Sequence, residues 1–288
     1  MKILMLGGDK RQEYAAKYIE DKNIPMDIWN GNTAFETIKE SLSLYDAIIL
    51  PLPVSGDGIT LNVPQTIGEK PKLSEIISSL NKNSLIIGGK FTPALKNIIS
   101  GRGMRFIDYF ENEDFQIKNA VLSAEGAIFY AMEALERSVI SSETAVLGYG
   151  RIGKLLAERL KCLGANVTVC ARKVSDLAWA ECRGFKTLQI RYSDGKSSLS
   201  ELKGYDIIFN TVPCWIFDDF SASGLSSDSL IIDLASAPYG IDEKIVKKYG
   251  INYKKISGIP GKYAPVSAGE IIGQTIIMII EREEMFRC

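Results

Sequence analysis

Short apolar runs alternate along the chain with stretches whose apolar residues recur at helical spacing. Residues 2–6 read as a strand, Gly7-Gly8 breaks it, and a helix follows over about 9–21. Residues 27–29 and 47–50 read as further strands with a helix between them. Residues 85–88 and 105–108 continue the series, with a helix over 93–100. In the second half, strands are predicted over 144–147, 166–170, 206–210, 229–236 and 251–256. Strands alternating with helices predict parallel βαβ units covered by helices on both faces. The expected fold class is α/β: two doubly wound parallel-sheet domains, the second a Rossmann domain, with a cleft between them.

The interruptions set the expected boundaries. Residues 51–71, rich in Pro, Gly, Asn and Thr, follow the carboxyl end of a strand and read either as a surface loop or as a substrate-facing one. Glu111-Asn-Glu-Asp114 reads as an acidic break. After it, Ser123 can cap a helix over about 124–139, with Ile128, Ala131, Met132 and Leu135 on one face. This predicts an N-terminal domain at 1–122, a connecting helix within 123–143, and the Rossmann domain at 144–266. The glycines and prolines of residues 257–265 predict a defined loop. A final apolar helix, within 267–288, is expected to pack back on the first domain. Its apolar run from Ile271 is interrupted by Gln274 and closed by Glu281, too short to span a bilayer.

Composition narrows the chemistry. The 288 residues are 46% hydrophobic and 24% charged, an ordinary globule long enough for two cores. With 34 basic and 35 acidic residues the formal charge is −1, which argues against a broad nucleic-acid footprint. The first residues hold only a four-residue apolar run, so a cytoplasmic protein without a membrane segment is expected. No histidine occurs, which removes imidazole metal sites, Ser-His and Cys-His nucleophile systems and a histidine base. The five cysteines, at 162, 170, 182, 214 and 288, form no CxxC pair and read as small apolar core residues; no metal site is expected.

The strongest motif is Gly148-Tyr-Gly150-Arg151-Ile152-Gly153, which directly follows a strand and opens a helix. Gly148 permits the tight turn, Gly150 lets the backbone approach a pyrophosphate, and Gly153 lets the helix pack closely on the strand. The helix N-terminus offers unpaired N–H groups to phosphates. At the end of the next strand, where NAD-binding domains usually carry an acidic residue, stands Cys170-Ala-Arg172-Lys173, with no carboxylate before Asp176. Two cations there suit a 2′-phosphate, so the expected cofactor is NADP. Thr211, Val212 and Pro213 follow one later strand, and Asp233 and Ala235 close another. These are expected to line the nicotinamide half of the site.

These motifs carry a resemblance. Gly7-Gly-Asp9-Lys-Arg11, Ser123-Ala-Glu-Gly126, the glycine turn, Asn210-Thr-Val-Pro213, Asp233-Leu-Ala-Ser236, and Gly258-Ile-Pro-Gly261 with Ala264-Pro265 together resemble the A-subunit family of dipicolinate synthase. The resemblance implies a sporulation enzyme of the mother cell, working with a flavoprotein-like B-subunit of the same synthase. Such an enzyme oxidises dihydrodipicolinate, or its hydrated tetrahydro precursor, to dipicolinate, with NADP as hydride acceptor. For the dicarboxylate the candidates are Arg11 and Lys262, and for the proton Asp9 or Glu125. Each has a structural alternative: Arg11 and Lys262 as solvated charges, Asp9 as a helix N-cap, and Glu125 as a first-turn charge. Lys90 and Tyr263 are further candidates by position alone. The residues also leave room for another two-domain NADP-dependent dehydrogenase of a keto or hydroxy acid, or for a non-catalytic NADP-binding sensor or scaffold protein. Self-association is open.

Overall fold

A computed structural model describes residues 1–193, 196–214, 216–226, 228–235 and 240–285. Ser236, and residues 286–288 of the expected last helix with Cys288 among them, lie outside the described residues. The chain forms two compact units, one of Met1–Asn119 with Ala264–Cys288, the other of Ala120–Tyr263.

The first unit is built on a five-stranded parallel sheet of β1 (Ile3–Leu6), β2 (Asp27–Trp29), β3 (Ala47–Ile49), β4 (Leu85–Gly88) and β5 (Arg105–Asp108), in the order β2-β1-β3-β4-β5. Alternate residues feed opposite layers. Leu4, Leu6, Ile48 and Ile86 enter one core, while Ile3, Met5, Ala47, Ile49 and Ile87 enter the other. Both faces being covered, β1, β3 and β4 are apolar at every position. The helices are α1 (Lys10–Glu20), α2 (Glu36–Lys39), α3 (Leu73–Ser79) and α4 (Pro93–Gly101).

Asp9 caps α1, its carboxylate accepting from Arg11 N–H at 3.0 Å. On its buried face α1 meets the helix of Pro265–Met285 so closely that glycine is required on the partner. A Cβ on Gly269 would lie 2.4 Å from Tyr14 Cβ and 2.7 Å from the Arg11 carbonyl oxygen. One on Gly273 would lie 2.9 Å from Tyr18 Cδ1. Gly269→Val should therefore cost roughly 3 kcal/mol and lower the melting temperature by roughly 8 °C. An unshifted thermal transition would show that the two helices are not locked in this way.

The second unit carries a six-stranded parallel sheet of β6 (Glu143–Leu147), β7 (Asn166–Ala171), β8 (Lys186–Gln189), β11 (Ile207–Asn210), β12 (Leu230–Asp233) and β13 (Asn252–Lys255). Its order, β13-β12-β11-β6-β7-β8, places β6 and β11 side by side where the winding reverses. A small hairpin, β9 (Tyr192–Ser193) and β10 (Lys196–Ser197), stands apart. The helices are α5 (Glu113–Ala134), which begins in the first unit, α6 (Arg151–Cys162), α7 (Val174–Cys182), α8 (Asp219–Ser223), α9 (Glu243–Tyr249) and α10 (Ile259–Tyr263); α11 is Pro265–Met285.

Three expectations are corrected. The connecting helix starts at Glu113, not after Ser123, and ends at Ala134. Glu113 and Asp114 stand in its first turn, where negative charge favours a helix N-terminus instead of breaking it. Residues 259–263, expected as loop, form α10, because Pro260 needs no N–H donor at a helix start. Cys162 and Cys182 are exposed and Cys214 half-buried; among the described cysteines only Cys170 is a core residue, its thiol pushed up by burial. Among the described residues no helix is long and apolar enough to cross a membrane, and no cluster of His, Cys, Asp or Glu could hold a metal.

Candidate functional site

The glycine turn is built as its spacing requires. Gly148 adopts φ +95° and donates its N–H to the Cys170 carbonyl at 2.7 Å, which ties the end of β6 to β7. A Cβ there would lie 2.6 Å from Thr211 Oγ1, and one on Gly153 would lie 2.1 Å from the Gly148 carbonyl oxygen. Gly150 differs. It caps α6 with an ordinary extended backbone, φ −79° and ψ −163°, and a Cβ built there meets nothing within 4 Å. Gly148 and Gly153 are thus fixed by close packing, while Gly150 faces open space.

That space is a groove of about 330 Å³. Its floor is Gly148 to Ile152, so Arg151 and Ile152 line it with the first turn of α6. One end is closed by Ala171, Arg172, Lys173 and Asp176; Arg172 and Lys173 are both exposed. The facing wall is Thr211, Val212 and Pro213. Thr211 is held by its N–H and Oγ1, both donating to the Leu147 carbonyl, at 2.9 and 2.8 Å. Tyr149, Asp176 and Ile190 also line the groove but were not among the expected contacts. Ile190 follows β8, an edge strand whose Lys186-Thr-Leu-Gln gives little apolar signal; Asp176 is legible only once α7 is seen to start at Val174.

Asp233 and Ala235 do not line this groove. Asp233 is wholly buried, and its carboxylate accepts from Asn210 Nδ2 (3.0 Å), Ala235 N–H (3.0 Å), Tyr253 Oη (2.7 Å) and Ile241 N–H (3.3 Å). Burial first, then the bond to Asp233, raises the Tyr253 phenol well above its ordinary value. Asn210, also wholly buried, accepts from Val212 N–H at 3.0 Å through its amide oxygen. The expected cofactor contact is therefore an internal brace, joining β13 through β12 and β11 to the Thr211–Pro213 wall. A buried carboxylate needs such a set of donors.

In the first unit, Asp9 and Arg11 form a bidentate pair: Nε donates to Oδ1 at 2.9 Å and Nη2 to Oδ2 at 2.8 Å. Arg11 Nη2 also donates to the Leu52 carbonyl at 2.5 Å, and its side chain is 13% exposed. Arg11 is thus fixed between the ends of β1 and β3, not solvated. The loop of residues 51–71 covers these strand ends. Leu61 and Val63 are buried, and the Asn62 carbonyl accepts from Gly8 N–H at 2.8 Å. Glu125, in the second unit, accepts from Arg159 Nη2 at 3.4 Å. Lys262 is exposed on α10, and the Tyr263 ring packs against Phe129, centroids 5.5 Å apart.

Residues 2–110 match the family described as the N-terminal domain of the dipicolinate synthase A-subunit. The A-subunit of dipicolinate synthase from Bacillus subtilis is 28% identical, over 97% of this chain and 96% of that protein. The crystal structure of the dipicolinate synthase A chain from Bacillus subtilis superposes with a TM-score of 0.86 at 27% identity, covering 99% of this chain and 97% of that one. The apo-structure of D-lactate dehydrogenase from Escherichia coli superposes with a TM-score of 0.66 at 12% identity, over 99% and 97% of the two chains, and so shares the fold. In sequence and in its two parallel-sheet α/β units, the chain resembles the A-subunit of dipicolinate synthase over nearly its whole length.

Proposed function

We propose that the chain is an NADP-dependent oxidoreductase that converts dihydrodipicolinate, or its hydrated tetrahydro precursor, to dipicolinate. The observation that carries the cofactor is the groove itself, open at Gly150 and lined at one end by Arg172 and Lys173. A pyrophosphate fits where a Gly150 side chain would stand, against the N–H groups that start α6. Arg172 and Lys173 offer charge-assisted hydrogen bonds to a 2′-phosphate; Asp176 is the carboxylate among the lining residues. The Thr211–Pro213 wall, braced through Asn210, would orient the nicotinamide half. The similarity to the A-subunit of dipicolinate synthase supports the substrate class.

When bound, NADP supplies the hydride acceptor. From dihydrodipicolinate the reaction removes a hydride and a proton, and the product ring becomes aromatic; the hydrated precursor must also lose water. The protein's part is to hold the ring, anchor two carboxylates and give the proton an exit. On this reading the first unit binds substrate and residues 144–263 bind cofactor. Arg11 is the candidate carboxylate anchor of the first unit, through its Nη1, which neither Asp9 nor Leu52 engages; Lys262, the other candidate, belongs to the second unit. Asp9, paired with Arg11, and Glu125, paired with Arg159, stay the candidate proton acceptors. The same likeness supports a second synthase component as partner, and the proposal extends to a role in spore formation in the mother-cell cytoplasm.

The test is absorbance at the NADPH band with purified protein, NADP and freshly generated lysine-pathway intermediate, repeated with NAD and with the partner protein added. A rise with NADP accompanied by dipicolinate is expected. No rise in any combination would overturn the assignment.

A further inference from the structure

One corner of the first unit holds two features that each cost the fold stability. Lys90 has φ +63°, a left-handed conformation that a residue with a Cβ adopts only where its surroundings impose it. Asp108 imposes it. Its side chain, 4% exposed, accepts from Lys90 N–H at 2.8 Å and Phe91 N–H at 2.9 Å, and also from Phe110 N–H at 3.0 Å. The ammonium so placed is exposed, without a hydrogen-bond or ion-pair partner among the described residues. Tyr109 is the second feature. It is wholly buried, and its hydroxyl has no partner among the described residues.

The two are neighbours. A Cβ on Gly89 would lie 2.8 Å from Tyr109 Cε2, 3.0 Å from its Cζ and 2.7 Å from Leu52 Cδ1. The phenol end of the ring therefore abuts both the turn that carries Lys90 and the residue whose carbonyl holds Arg11. Burial pushes the Tyr109 hydroxyl up, and the nearby Arg11 charge draws it back. All of this lies at the carboxyl ends of β1, β3, β4 and β5, the edge where open α/β sheets take ligands. Asp9 offsets Arg11, and Lys96 lies 3.7 Å from Asp108, so Lys90 supplies the unbalanced positive charge.

We propose that this corner is a carboxylate subsite. Lys90 supplies its charge, Arg11 Nη1, which neither Asp9 nor Leu52 engages, offers a further donor, and the Tyr109 hydroxyl donates to a ligand oxygen directly or through one water. The proposal rests on the dicarboxylate reading above and assigns to it two residues that the cofactor groove does not use. Retaining a strained lysine and an unpaired buried hydroxyl in one place is the signature of residues kept for a ligand, not for folding.

The experiment measures binding of pyridine-2,6-dicarboxylate to the full chain in the presence of NADP, by calorimetry, for wild type, Lys90→Gly, Lys90→Arg and Tyr109→Phe. NADP affinity and ligand-free thermal melting are recorded alongside. Lys90→Gly and Tyr109→Phe should each lose roughly 10-fold in dicarboxylate affinity, with NADP affinity unchanged. Their melting temperatures should equal or exceed that of wild type, because glycine accepts the left-handed backbone and phenylalanine leaves no hydroxyl unpaired. Lys90→Arg, which keeps the charge, should bind more tightly than Lys90→Gly. Unchanged dicarboxylate affinity in both loss variants, or a loss that comes with lowered melting, overturns the subsite while the function stands. A wild type that does not bind the dicarboxylate overturns the function reading and the subsite together.

Discussion

Replacing Gly150 with valine is expected to abolish NADP binding without harming the fold. The backbone at Gly150 is one that valine adopts readily, and a Cβ built there meets nothing within 4 Å. The branched side chain would instead project into the groove proposed for the pyrophosphate, excluding its approach to the N–H groups of α6. A loss of more than about 100-fold in affinity is expected, with melting within roughly 2 °C of wild type. Fluorescence titration with NADPH and a thermal melt check both halves. Gly153→Ala makes the control, since its Cβ would meet the Gly148 carbonyl oxygen at 2.1 Å and the turn itself would have to move. A Gly150→Val protein that still binds NADPH would remove the groove as the cofactor site.

The second large effect is expected from removing both cations at the end of β7. With Arg172 and Lys173 replaced by alanine, affinity for NADP should fall roughly 30-fold and that for NAD by less than about 3-fold. Both side chains are exposed, so their loss should leave melting nearly unchanged, and raising salt should shrink the wild-type preference for NADP. Asp176 lines the same end of the groove and would then face the 2′-phosphate without opposing charge. Equal losses for both cofactors would mean that the two cations do not read the 2′-phosphate.

What the sequence showed depended on whether a signal was local. Buried parallel strands are apolar at every position, so β1, β3 and β4 stand out from the residues alone, as does β11 up to Asn210. The half-exposed edge strand β8 does not. The glycine turn is legible because its spacing, directly after a strand and at the start of a helix, is itself a local pattern, although the atom that crowds Gly148 belongs to the distant Thr211. The brace at Asp233 is not legible, because its place at a strand end is a sequence property, whereas the direction of its side chain depends on Tyr253 and Asn210 in neighbouring strands. Arg11 reads as a charge in the sequence, but its grip on Leu52, far along the chain, leaves no local trace. Tyr109 gave no signal at all, since an unpaired hydroxyl is a property of its surroundings.

The glycine-lined meeting of α1 with α11 has a bearing on how the chain comes off the ribosome. The residues of the second unit, Ala120–Tyr263, are synthesised as one uninterrupted block and can collapse as they emerge. The first unit cannot finish when its own sheet is complete, because Tyr14, Ala15 and Tyr18 await Gly269 and Gly273 from a segment made much later. Residues of α1, made well before α11, are thus among the last to be sealed, and for that interval they present an uncovered helix face. A nascent chain stalled before residue 264 should be a preferred client of chaperones that hold such faces, and release of α11 should end that dependence.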